Sequence, residues 1–274
     1  MTESSDPISY YDEYEEKEWE RLEKDFYHQL EWEETIHHLR QKLPEQGSVL
    51  DIGGGAGRYS IWLADRGYDV YLVDPSQKQV SIATKKATDN ELTDNITTFV
   101  GDVRDLPFIE NTFETTVCLG GPLSHILDET QRRQAAAELK RVTKPDHPVF
   151  VSVMGRLAAT QTITRLSGRH PNQDETELLP HLVETGDYTQ EIVTQHGLEL
   201  SGPPMHLFRV SELEELLASE NLDVNTVTGL ESIASQRRVD FDELTESHRD
   251  SIREAIRNLQ GDREAAEISG HILA

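Results

Sequence analysis

The sequence predicts an α/β fold built on a parallel, doubly wound sheet of seven strands. Three observations carry this. Short apolar runs alternate with helical stretches at the spacing of strand–helix–strand units. A glycine-rich run, Gly53-Gly-Gly-Ala-Gly57, closes the first strand and opens the next helix. Two carboxylates, Asp51 and Asp74, stand within the first strand and at the C-terminal end of the second. The C-terminal ends of the strands are where open sheets bind ligands.

Residues 10–43 read as one long amphipathic helix or two short ones. Trp19, Leu22, Phe26, Leu30, Ile36, Leu39 and Leu43 recur at near-helical spacing, and Pro44 stops the run. The acid runs at 13–20 and 31–34 read as its solvated faces. The next strands are expected at 48–52, 69–74, 96–100, 115–119 and 148–154, with helices at 58–65, 76–88 and 129–142. Gly67 suits a left-handed helix end and Ser76 an N-cap. After Met154 the alternation lapses for some fifty residues, ending at Gly202-Pro-Pro204. It resumes with a helix at 211–219, a strand at 224–230, a helix at 242–259 and a last strand at 267–273. The expected organisation is an N-terminal helical segment (1–46), a core (47–155), an inserted lid (156–205) and the remainder of the core (206–274).

With 274 residues, 36% of them hydrophobic, the chain can build one large domain carrying a smaller lid. Asp and Glu number 51 against 26 Lys and Arg, a net charge of −25 that repels a phosphate backbone and argues against a broad nucleic-acid surface. The cations are skewed, 8 Lys against 18 Arg. Acid-rich, Lys-poor surfaces resemble those of cytoplasmic proteins from extreme halophiles, where molar salt screens self-repulsion to about 3 Å. Apolar runs stop at four residues (61–64 and 70–73), far short of the roughly 20 a membrane span needs. The acidic N-terminus lacks the apolar stretch of a secretory signal. Cys118, the single cysteine, excludes an intramolecular disulfide and a multi-cysteine zinc site. A cytoplasmic location is expected, and Cys118 itself reads as a packed core residue.

The glycine loop carries the chemistry. Bare backbone at Gly53, Gly54, Gly55 and Gly57 lets a ligand lie against the chain, and the helix behind it offers free N–H groups to an anion. A dinucleotide fingerprint needs Gly-x-Gly-x-x-Gly. Counted from Gly53, its third glycine would fall at Arg58. A pyrophosphate would also sit badly beside Asp51. A ligand carrying an amino group and a carboxylate explains both the loop and the acid.

Val49-Leu-Asp-Ile-Gly-Gly-Gly-Ala-Gly57 resembles the first motif of the class I S-adenosylmethionine-dependent methyltransferases, Asp-x-Gly-x-Gly-x-Gly. Further pieces follow in that family's order: Asp74-Pro75 after the second strand, Gly101-Asp-Val-Arg-Asp-Leu-Pro107 after the third, and 113–122 as the fourth strand and its loop. The resemblance is strong over residues 45–155 and looser over 205–274. It implies a Rossmann-like fold with a mostly parallel sheet, S-adenosylmethionine as cofactor and S-adenosyl-L-homocysteine as product.

It further implies that Asp74 holds the ribose hydroxyls, with Pro75 beside it as a cofactor-binding residue. Asp102, in competition with Asp105, meets the adenine amine, and Val103 offers its N–H to the ring. Leu119 and Gly120 face the methyl group. Asp51 either holds the amino group, directly or through water, or orients the loop. Residues 10–22, 51–64 and Leu119-Gly-Gly-Pro-Leu-Ser-His-Ile126 are similar to small-molecule methyltransferases grouped with the ubiquinone/menaquinone C-methyltransferases. Two departures stand out: Ser124 where many relatives have Tyr, and Pro145-Asp-His147 where they have Pro-Gly-Gly.

His125 is a candidate general base or a packing residue. Tyr10, Tyr11 and Tyr14 are candidates for a lid over the cofactor. Arg156, His206 and Arg209 flank the insertion and could bind an acidic substrate group. No metal site is expected. The expected reaction is methyl transfer to a small-molecule acceptor. A nucleic-acid methyltransferase and a non-catalytic cofactor-binding regulator are the alternatives.

Overall fold

The structure, a computed structural model, describes residues 6–169, 174–237, 241 and 243–274. Residues 1–5 of the acidic N-terminus and Asp242, the expected first residue of the last long helix, lie outside these.

The N-terminal segment is broken where one or two helices were expected. It runs as α1 (Pro7–Tyr14), α2 (Lys17–Glu20), a 3-10 turn (Arg21–Glu23) and α3 (Phe26–Lys42). Asp6 caps α1 and Asp25 caps α3, and Glu15 between α1 and α2 takes a left-handed φ of 51°.

The core then alternates β1 (Ser48–Ile52), α4 (Arg58–Ala64), β2 (Asp69–Asp74), α5 (Gln77–Asp89), β3 (Ile96–Val100), β4 (Thr115–Cys118), α6 (Glu129–Val142) and β5 (Val149–Met154). The insertion holds α7 (Arg156–Leu166), α8 (Leu179–Thr185), β6 (Asp187–Tyr188), α9 (Gln190–Gln195) and β7 (Met205–His206). The chain ends with α10 (Val210–Ser219), β8 (Thr228–Gly229), α11 (Glu246–Asn258), α12 (Arg263–Glu267) and β9 (His271–Leu273).

The main sheet has seven strands in the order β3-β2-β1-β4-β5-β9-β8. The first five are parallel, and β9 runs antiparallel to both neighbours. The order reverses between β1 and β4, which opens a crevice at their C-terminal ends. The β6–β7 pair forms a separate two-stranded sheet within the insertion.

Two faces bury the sheet. Leu50, Ile52, Val151 and Val153 pack with α6 and α10, and Val49, Val70 and Val117 pack with α3 and α4. Cys118 is fully buried, and burial raises its thiol far above the ordinary range, so it is an inert core residue. At the turn before β5, Asp146 takes φ 61°, the conformation that a glycine adopts without strain. Among the described residues, no helix is long and apolar enough to cross a membrane.

Candidate cofactor and acceptor site

Two cavities meet at the crevice, beneath the N-terminal segment. The first, about 340 Å³, lies against Gly53–Ala56, Asp74–Ser76, Gly101–Arg104, Leu119 and Gly120, and is roofed by Pro7, Ile8, Tyr11, Glu18, Arg21 and Leu22. The second, about 460 Å³, is bounded by Tyr10, Tyr14, Lys24, Asp25, His28, Met154, Pro203, Met205, Phe241 and His271. Tyr11, Glu18, Arg21, Gly120 and His125 belong to both walls.

Backbone geometry builds the first cavity. Gly53 has φ 65° and would place a Cβ 2.4 Å from Pro122 Cγ. Gly55 has φ 51°, and its Cβ would meet only Glu18 Cγ, at 3.3 Å, so its open side faces the cavity. Gly57 does not line the cavity. It lets α4 approach α5, where a Cβ would come within 3.1 Å of Ala83 Cβ.

Asp74 is buried at the tip of β2. Its Oδ1 accepts from the Ser76 amide at 2.8 Å and its Oδ2 from the Gly55 amide at 2.9 Å. Each oxygen keeps a further lone pair. Burial raises its pKa to about 6, against the pull of those two amides.

Asp51 corrects the expectation of a ligand contact. It is buried beneath the loop, does not line the cavity, and accepts from Ser60 Oγ at 2.6 Å. Burial raises it to about 6 as well. Its place fits the orienting alternative.

Asp102 and Val103 line the cavity and Asp105 does not. Asp102 Oδ1 accepts from the Arg104 amide and Nε, each at 2.8 Å. The Arg104 side chain holds the Asp102 carboxyl below the usual range.

His125 stands on the common wall. Its Nδ1 lies 3.1 Å from the Pro204 carbonyl, which only accepts, so Nδ1 carries the proton. Nε2 then accepts from the Tyr11 hydroxyl at 3.1 Å. Burial lowers the imidazole pKa. The lone pair that a base would use is occupied by Tyr11, so this geometry positions Tyr11 and does not favour the general-base reading.

Arg156, His206 and Arg209 are not brought to either cavity, a correction with a clear cause. The buried Arg156 donates to Leu207 O at 3.0 Å, to Thr185 O at 3.1 Å and to Glu212 at 2.7 Å. His206 Nδ1 is 2.6 Å from Asp187, and Arg209 pairs with Glu267 at 3.2 Å. Arg156 ties the insertion to the core, His206 joins the two strands of the insertion, and Arg209 bonds within the core.

The sequence reading missed Glu18, Arg21 and Gln79. Arg21 forks onto Glu31 with bonds of 2.6 and 2.9 Å and reaches Glu18 at 3.1 Å. Burial opposes the charge on Glu31, but Arg21 outweighs it and holds the carboxyl down to about 2. Glu31 and Glu34 are buried, so 31–34 is not a solvated face. Gln79 Nε2 donates to Tyr11 O at 2.7 Å and Glu15 O at 3.1 Å, fastening α1 over the cavity. A lone Arg three residues after Glu18 in an acid run was the available signal. Glu31, Glu231 and His271 lie close enough to hold a metal, but Arg21 occupies both Glu31 oxygens and Glu231 pairs with the His271 ring.

The family described as a methyltransferase domain matches residues 49–146, the stretch that supplies this glycine loop, Asp74 and Asp102. Over that stretch the chain is similar to methyltransferase domains. S-adenosylmethionine is the cofactor that this similarity implies.

The glycine/sarcosine N-methyltransferase of Aphanothece halophytica is 33% identical over 128 residues, 42% of this chain and 48% of that protein. The ubiquinone/menaquinone biosynthesis C-methyltransferase of Rickettsia prowazekii is 31% identical over 105 residues, 36% of this chain and 40% of that protein. The chain thus matches about half, or less, of the length of these relatives. Two solved structures share the fold. A Methanosarcina mazei S-adenosylmethionine-dependent methyltransferase has a TM-score of 0.57 at 21% identity, over 72% of this chain and 90% of that one. A Thermotoga maritima S-adenosylmethionine-dependent methyltransferase has a TM-score of 0.56 at 15% identity, over 97% of this chain and 95% of that one.

The methyltransferase cofactor fits the residues present. The first cavity falls in the size range of small-ligand pockets, roughly 300–1,000 Å³. A side chain at Gly55 would enter it, and the buried Asp74 keeps acceptor capacity there.

Proposed function

We propose that the chain is a methyltransferase that moves the methyl group of S-adenosylmethionine to a small-molecule acceptor held in the second cavity. The observation that carries this is the common wall of Tyr11, Glu18, Arg21, Gly120 and His125, which joins the two cavities. When bound, the cofactor supplies an electrophilic methyl on a sulfonium that brings its own leaving group.

The chain's task is then alignment and exclusion of water. Asp74 would hold the ribose hydroxyls, the amides around Gly53–Gly55 the amino-acid end, and Asp102 with Val103 the adenine. The N-terminal segment roofs both cavities, so Tyr10, Tyr11 and Tyr14 act as the lid, with His125 fixing the Tyr11 hydroxyl. The net charge of −25 disfavours nucleic acid as acceptor.

Two measurements test the reading. Calorimetry should show S-adenosylhomocysteine binding with a dissociation constant in the micromolar range. Label from methyl-labelled cofactor should pass to a small-molecule fraction of cell extract. Binding without transfer to any fraction would leave a non-catalytic cofactor-binding protein, and transfer to RNA alone would contradict the acceptor class.

A further inference from the structure

The second cavity differs in chemistry from the first, which lies against the glycine loop. Tyr10 stacks on Tyr14 with centroids 5.6 Å apart and planes 18° apart, and meets Tyr11 edge-on at 5.3 Å. Glu18 stands on the common wall. Tyr10, Tyr11, Tyr14 and Glu18 line this one cavity; burial raises the phenols of all three tyrosines, and the charge of Glu18 raises each of them further.

Glu18, bonded to an arginine that is forked onto Glu31, is also a charge without a full partner of its own. Arg21 is matched by Glu31 on α3, and His271 on β9 by Glu231 and Glu31. Asp25 caps α3 and bonds the His28 ring. Burial lowers the pKa of His28 and of His125. Lys24 is exposed at the margin. Glu18 shares Arg21 with Glu31 through a single bond to Oε1. Burial raises its carboxyl against the pull of Arg21.

We propose that the second cavity takes an acceptor bearing an ammonium group, seated against Tyr10, Tyr11 and Tyr14 and neutralised by Glu18. Aromatic faces attract a cation, more strongly once it is desolvated. A carboxylate beside them adds a charge-assisted hydrogen bond. An uncharged ring would stack on the tyrosines equally well, but would leave Glu18 enclosed without a full counter-charge. The inference rests on the methyltransferase reading. It concerns the acceptor's charge, not which of its atoms takes the methyl.

The test uses the full chain loaded with S-adenosylhomocysteine. Tyramine is titrated at pH 8 against 4-ethylphenol, which lacks only the ammonium, with histamine as a second cation. Tyramine and histamine should each bind at least tenfold more tightly than 4-ethylphenol, and Glu18→Gln should remove that margin. If that variant does not fold, Tyr14→Leu should weaken tyramine more than 4-ethylphenol, narrowing the margin between them by about threefold. Tyramine binding no tighter than 4-ethylphenol, or a margin that survives in a folded Glu18→Gln, overturns the inference. Failure of S-adenosylhomocysteine to bind in the first step instead overturns the methyltransferase reading beneath it.

Discussion

The Gly55 amide donates to Oδ2 of Asp74 across 2.9 Å, while the Ser76 amide holds Oδ1 at 2.8 Å. One carboxylate at the tip of β2 thus fastens the glycine loop after β1 to the start of α5, and does so on the wall of the first cavity. Asp74→Ala should weaken S-adenosylhomocysteine by about 1.5–3 kcal/mol, the range for hydrogen bonds to a charged group. It should also lower the melting temperature, because two amides lose their acceptor. Unchanged affinity by calorimetry would remove Asp74 from the site.

Both buried aspartates also give the fold a pH dependence. Asp51 and Asp74 are raised to about 6, whereas an unfolded chain holds such groups near 3.9. The folded state therefore binds these protons more tightly. Their contribution to stability is fully present below about pH 4 and is lost as pH rises through 6. Ribose hydroxyls need accepting lone pairs, so binding favours ionised Asp74. Affinity for S-adenosylhomocysteine should rise between pH 5 and 7, with protons released on binding, seen as a dependence of the calorimetric heat on buffer ionisation. A dissociation constant flat over that interval contradicts the assignment.

The loop itself is tested by Gly55→Val. A β-branched residue at φ 51° is strained by about 1–2 kcal/mol, and its side chain would enter the cavity. The variant should keep its circular dichroism spectrum and lose S-adenosylhomocysteine binding. A folded variant that binds normally shows that the ligand does not lie against Gly55.

The five parallel strands were legible because each is a short apolar run closed by a turn, and β1, β2 and β3 match their expected limits. The last two strands were not. The segment 224–230 reads as a strand, yet Val224 and Val227 pack against the core without a ladder, and only Thr228 and Gly229 are in register with β9. Residues 267–270 fail as strand because Glu267 ends α12 and Gly270 passes so close to Tyr27 that a Cβ would lie 1.7 Å from its hydroxyl. Within the site, the glycine loop and Asp74 are local patterns and could be read. Glu31 could not, because its burial depends on Arg21 and on His271, far along the chain.

That buried network makes its own prediction. Glu31→Gln leaves Arg21 with Glu18 alone, inside the fold. Removing one partner of a buried pair is far more damaging than never having made it. The variant should lose on the order of 3 kcal/mol in denaturant unfolding at pH 7. Because Glu31 is held down to about 2, its contribution is present above the unfolded value near 4.3 and is lost as pH falls through 2. The deficit of the variant should therefore shrink in strong acid. A loss below 0.5 kcal/mol would mean that the fork onto Arg21 is not formed in solution.

Net charge sets the last expectation. With 51 acids against 26 Lys and Arg, repulsion acts over a Debye length of about 10 Å at 0.1 M salt and about 3 Å at 1 M. Salt also weakens surface pairs such as Lys78–Glu15 and Arg133–Glu129, but exposed pairs of this kind contribute little. Screening of the excess acid should win, so the melting temperature should climb steadily from 0.1 to 2 M potassium chloride. Osmotically matched sucrose separates screening from general exclusion, since it leaves the charges unscreened and should reproduce only a minor part of the rise. A melting temperature that is indifferent to potassium chloride, or that follows sucrose equally, removes the salt-adapted reading of this surface and leaves the acid excess without a structural role.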